Sequence, residues 1–149
     1  MNEKMLMKNG WMQKTIRIKL DYNKLCNFIS FEEIDFEDVK NARKVYESIF
    51  TFSLDYVASS DDFLKYEIIK YSGRREPKGF LMKNETSDRL YKIYDIYKEK
   101  MKKKYNVFIT FGEFIEFLMF YYCQNNIPKE SLDYINNVWK INWGFRLEE

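Results

Sequence analysis

The chain has 149 residues and no histidine. Ser-His-Asp and Cys-His catalysis, His-ligated zinc and imidazole proton shuttles are therefore excluded. Cysteine is nearly absent as well. Cys26 and Cys123 stand 97 positions apart in apolar surroundings. That spacing is neither a redox pair nor a disulfide framework, and both residues read as small core side chains in a reducing compartment. Apolar runs are short. The strongest, Phe114 to Cys123, contains Glu116 and is far below the ~20 residues that span a bilayer. Residues 1–9 carry Glu3, Lys4 and Lys8 without an apolar core, so no signal peptide is expected. The expectation is a cytoplasmic protein with no membrane contact, no metal and no cofactor. With five glycines and two prolines, irregular backbone has few natural sites.

Aromatic residues are abundant: 12 Tyr and 13 Phe contribute most of a 19% aromatic share. So much apolar surface demands a packed core and argues against disorder. The length suits one compact domain or two very small ones. Formal charge is +2, which excludes a uniformly basic coat but leaves room for a local basic face. Charge alternates in blocks: residues 1–30 carry +4, 31–62 carry −6, 63–104 carry +7 and 105–149 carry −3. Two similar modules in tandem would give such a layout.

Hydrophobic period locates the elements. Lys14-Thr-Ile-Arg-Ile-Lys-Leu20 alternates strictly, which predicts a strand with Ile16, Ile18 and Leu20 inward and Thr15, Arg17 and Lys19 outward. Asp21 is placed to cap a short helix, Tyr22 to Ile29. Asp35 opens a second helix with a stripe at Val39, Ala42, Val45, Tyr46 and Ile49. Phe63 to Tyr71 reads as a strand and residues 72–77 as a loop. Lys78 to Lys83 is a short strand, with Phe80 and Met82 inward and Leu81 and Lys83 outward. Thr86 or Ser87 caps a helix reaching Tyr105, ended by Asn106 as a left-handed cap. Thr110-Phe-Gly-Glu113 has capping-box spacing directly before Phe114, Ile115, Phe117 and Leu118. That helix is apolar on nearly every side and needs cover, so a partner subunit, most simply a homodimer, is expected. A last helix, Pro128 to Trp139, precedes a tail whose Trp143 and Phe145 pack back on the body.

This order of elements, strand then two helices with the second one capped, resembles the ribbon-helix-helix family of DNA-binding regulators, including tandem forms from archaeal viruses and plasmids. It is carried by Lys14 to Leu20, Tyr22 to Ile29 and Asp35 to Ile49, and again by Phe80-Leu-Met-Lys83, Leu90 to Tyr105 and Thr110-Phe-Gly-Glu-Phe-Ile115. The fold class expected is α+β and helix-rich. Residues 13–58 form a first, degenerate module, 59–76 a strand and linker, 77–126 a second module, and 127–149 an extra C-terminal helix and tail. The connection after Asn106 is longer than usual for the family. Asp35, with Glu32, Glu33, Glu37 and Asp38 close by, would repel a phosphate where Ser or Thr is favoured.

The resemblance implies a transcription regulator, not an enzyme, acting on double-stranded DNA as a homodimer or as a pseudo-dimer within one chain. Two strands pair antiparallel and enter the major groove. The base-reading side chains would be Thr15, Arg17, Lys19, Leu81 and Lys83. Phosphate contacts would come from Arg74, Arg75, Lys78 and from Thr110, Phe111 and Gly112 at the start of the capped helix. A competing reading is a protein-binding inhibitor or adaptor of viral or plasmid origin, motivated by the acidic block Glu32 to Asp38. A metal-dependent nuclease using Asp35, Asp38 and Lys40 is a remote third.

Overall fold

The computed structural model describes residues 4–6, 10–33 and 45–149. The architecture is α+β and helix-rich. Strand β1 (Lys4–Leu6) and strand β2 (Trp11–Lys19) lead into helix α1 (Leu20–Glu33) and helix α2 (Val45–Ser59). A 3-10 turn (Asp62–Lys65) and strand β3 (Tyr66–Ile68) precede strand β4 (Arg75–Lys83), helix α3 (Asn84–Tyr105) and helix α4 (Phe111–Asn126). Helix α5 (Lys129–Tyr134), a π-helical turn (Ile135–Trp139) and strand β5 (Phe145–Leu147) complete the chain.

The two basic strands lie side by side. β2 and β4 pair antiparallel over nine residues, with Trp11 opposite Lys83, Thr15 opposite Gly79 and Lys19 opposite Arg75. Among the described residues, β1 adds a third strand against Met12 to Lys14, giving the order β1-β2-β4. Ile16, Ile18, Phe80 and Met82 face the core as their period requires. β4 starts earlier than the sequence suggests. Arg75, Glu76 and Pro77 are strand residues, and Pro77 is tolerated because β4 is an outer strand of its sheet.

Helix α4 passes through the middle. Its residues from Glu113 to Phe120, together with Tyr122 and Cys123, are buried. The cover comes from this chain itself. Tyr97 of α3 packs on Phe114 and Phe117, and Phe145 of β5 packs on Phe117 and Phe120. On α2, Ser53 Oγ donates to the Leu118 carbonyl at 2.6 Å. Cover for this helix therefore does not require a partner subunit. One apolar cluster holds side chains from both halves of the chain.

Several boundaries differ from the pattern-based expectation. Leu20 opens α1 and is half exposed, not an inward strand residue. The expected strand Phe63 to Tyr71 shrinks to three residues, because Phe63 is fully buried within the 3-10 turn. Its partner is the tail: Tyr66 pairs with Leu147 and Ile68 with Phe145. Thr86 and Ser87 lie inside α3, whose first turn is held from outside. Glu47 of α2 accepts from the Lys83 amide at 2.9 Å and from Thr86 Oγ1 at 2.6 Å. The last helix breaks at Tyr134, and the π-helical turn carries Val138 to the surface. Asn106 does end α3 in the left-handed region, at φ 55°. The expected start of α2 at Asp35 and its stripe residues Val39 and Ala42 lie outside the described residues.

Burial leaves a mark on the tyrosines. Tyr22 and Tyr97 are fully buried, and their phenols are pushed well above the ordinary value, chiefly by desolvation. Desolvation also raises Tyr94 and Tyr121. A phenol raised in the folded state keeps its proton while the unfolded chain releases it. Stability is therefore full below about pH 10 and is lost as pH rises through and beyond that value. Alkaline titration should show tyrosinate absorbance appearing cooperatively with loss of helical circular dichroism. Gradual ionisation at constant ellipticity would contradict this burial.

Candidate nucleic-acid interface

Alternation places Trp11, Gln13, Thr15 and Arg17 of β2 on the same outer face as Pro77, Gly79, Leu81 and Lys83 of β4. Thr15, Arg17, Pro77 and Lys83 are exposed, and Leu81 is half-buried. Gly79 leaves space for the Gln13 amide, which a Cβ there would strike. The Lys83 ammonium lies 5.8 Å from the Trp11 ring, and Arg17 Nη2 donates to the Arg75 carbonyl at 2.8 Å. Four of the five expected base-reading side chains thus share one face of one ribbon.

Lys19 is the exception and needs correction. It is only 2% exposed. Its ammonium donates to the Asn142 carbonyl at 3.2 Å, and its amide donates to Glu116 at 2.8 Å. Burial lowers its pKa, against the opposing pull of Glu116. The tail folds over this end of the strand, so Lys19 has no route to a base edge.

The expected phosphate residues divide. Arg74 is largely exposed but pairs with Glu76 at 3.1 Å. Lys78 sits opposite Ile16 on the inner face, its ammonium 5.7 Å from the Tyr46 ring, so it is turned away from the outer face. Arg75 is taken up by Glu116, at 3.1 Å from Nε and 3.2 Å from Nη2, with Glu113 at 3.8 Å. Burial pulls the Arg75 pKa down, but the Glu116 hydrogen bond and charge outweigh it and hold the group above its ordinary value. Arg75 is therefore a structural cation first.

Helix α4 begins against the edge of β2 that β1 leaves uncovered. Thr110 Oγ1 accepts from the Glu113 amide at 3.2 Å, and Glu113 Oε1 accepts from the Thr110 amide at 2.9 Å, a closed capping box. Glu113 also pairs with Lys70 at 2.7 Å. Gly112 meets the strand: a Cβ there would collide with the Arg17 carbonyl oxygen. Its smallness serves strand-to-helix contact rather than approach of a phosphate.

A surface cleft of about 410 Å³ runs along this junction, lined by Lys14, Thr15, Ile16, Arg17, Arg75, Tyr91, Thr110, Phe111 and Gly112. It gathers six of the expected site residues and adds two the sequence pattern did not single out. Lys14 belongs to β2 and Tyr91 to α3. The signal available for Lys14 was a lysine in phase with Met12, Ile16 and Ile18.

No protein-family model matches the chain, and no curated protein or solved structure matches it significantly. Among the described residues, no group of His, Cys, Asp or Glu could hold a metal ion, and no helix is long and apolar enough to cross a membrane. Asp35, Asp38 and Lys40, and the acidic block around them, lie outside the described residues.

Glu116 holds Lys19 and Arg75 at the shared end of both ribbon strands. Replacing it by alanine leaves the partly buried Arg75 charge and the Lys19 amide without this acceptor, and a stability loss of about 1–3 kcal/mol is expected. Urea denaturation of Glu116→Ala measures this; a loss within ~0.5 kcal/mol would mean that the network is incidental.

Proposed function

We propose that the chain binds duplex DNA in a sequence-dependent way and acts as a transcription regulator, with the β2–β4 ribbon as the reading element. The observation that carries this reading is the antiparallel pairing of two strands distant in sequence, with Arg17, Thr15 and Lys83 exposed on one outer face. Each strand is followed by two helices, and the second helix of the later unit carries a closed capping box. This is the order expected of two ribbon-helix-helix units joined as a pseudo-dimer in one chain. The ribbon spans roughly 27 Å at 3.3–3.4 Å per residue, and two strands fit the ~12 Å width of the major groove.

Chemistry divides the ribbon. Arg17 is a bidentate donor for guanine, and Leu81 offers an apolar contact for a thymine methyl. Lys83 serves the backbone. β1 widens the sheet beside Met12 to Lys14, so the two-stranded half around Thr15, Arg17, Pro77 and Gly79 is the part narrow enough to enter deeply. A second reading, a protein-binding inhibitor or adaptor, is favoured by half-exposed Phe52 stacked on Tyr121, which in turn stacks on Tyr56 at 3.7 Å.

The test is duplex binding by the full chain and by Arg17→Glu and Lys83→Glu. Selection from random duplexes should enrich a defined site. Arg17→Glu should weaken that site by about 1–3 kcal/mol or more and relax its sequence preference. Lys83→Glu should lower affinity for all sequences and reduce the salt slope by about one. No retention on any duplex at low salt would sink the reading and favour the adaptor.

A further inference from the structure

The cleft at the edge of β2 contains a cation that no acid among the described residues answers. Lys14 is only 5% exposed, yet its ammonium has no hydrogen bond or ion pair among the described residues. Its contacts are aromatic, 4.6 Å to the Tyr91 ring and 5.9 Å to the Phe111 ring. Cation–π attraction supplies about 0.5–2 kcal/mol and leaves the three N–H donors of the ammonium free for an entering acceptor. A lysine so placed, lining a cleft, is completed by an anion entering that cleft. Arg17 lines the same opening and likewise pairs with no acid among the described residues. The third feature is apolar. Tyr91, 39% exposed, stacks on Phe111 at 4.8 Å with 13° between the rings, giving the cleft a flat aromatic wall.

We propose that this cleft binds a nucleoside phosphate, with the base against Tyr91 and the phosphate on Lys14 and Arg17. A volume of about 410 Å³ lies in the range of small-ligand sites, about 300–1,000 Å³. A bare anion would leave the aromatic wall unused, and an uncharged ring would leave Lys14 unanswered. The nucleotide is either free or the phosphorylated end of a strand. The site overlaps groove reading at Arg17 alone, because Lys14 and Tyr91 take no part in the outer face. Arg17 belongs to both, so an occupied cleft competes with a duplex for it.

Calorimetric titration of the full chain with AMP, adenosine, inorganic phosphate and a short single strand with or without a 5′-phosphate tests this. AMP is expected to bind saturably, and more tightly than adenosine or phosphate. Lys14→Met should weaken AMP by about tenfold or more, the loss of one charge-assisted contact. Tyr91→Leu should weaken AMP by about fivefold or more while leaving inorganic phosphate unchanged. Binding of the phosphorylated strand alone, lost in the same variants, also supports the site and identifies a strand end as the source. Lys14→Met removes the charge while keeping a side chain of similar length and its packing on Tyr91, so its melting temperature should stay close to that of the parent. Should it fold poorly, Tyr91→Leu carries the comparison. The site is refuted if neither AMP nor the phosphorylated strand saturates, or if folded variants bind as the parent does. Since Lys14 and Tyr91 are not ribbon readers, duplex binding by these variants separates a failure here from a failure of groove recognition.

Discussion

The carboxylate of Glu116 is the point on which the geometry of the ribbon depends. It is 1% exposed, accepts from the Lys19 amide where β2 ends, and grips the Arg75 guanidinium where β4 begins. One side chain of α4 thus holds both strands at the end where they are not joined by a third. Glu113, one turn earlier, closes the helix cap and takes Lys70. A low local dielectric makes such a network stiff when every member is satisfied. Without it, the strand ends would be tied to the helix only through apolar contact, which sets distance but not direction.

Aromatic packing supplies the rest. α4 is apolar around most of its circumference because it has neighbours on every side: α2, α3, the tail and the edge of β2. Tyr97, Phe114 and Phe117 form a chain of ring contacts near 5.2 Å, which extends through Phe145 and Phe120 to Trp143. Tyr22 ties the same tail by donating to the Trp143 carbonyl at 2.6 Å. The C-terminal segment is thus part of the core, and it is this segment that encloses Lys19.

Elements whose period was set by burial on one face were legible in the sequence. The alternation of Ile16 and Ile18, the stripe of α3 and the capping box of Thr110 and Glu113 needed no tertiary information. The inward and outward sides of β2 could be read as far as Arg17. Lys19 could not, because the backbone that covers it comes from Asn142, more than a hundred residues on. The same holds for Thr86, a good cap by type, whose hydroxyl is engaged by Glu47 from another helix. Lys14 misleads for the opposite reason: a charge on the inner face looks like an error of period until the aromatic pair beneath it is seen. Phe63 to Tyr71 alternates well but has only the short tail strand to pair with, so most of it stays outside a sheet. The pairing of β2 with β4 within one chain had no local signal, since 55 residues separate the end of one from the start of the other.

Pro77 has a further consequence. β4 borders its sheet, and a bare border of backbone amides and carbonyls invites a second copy to add a strand. Proline removes a donor from that row, and the flanking Glu76 and Lys78 put opposite charges on either side of it. The ribbon stays open on its outer face while its rim is blunted against self-association, so the molecule can display a pair of strands without seeding fibrils.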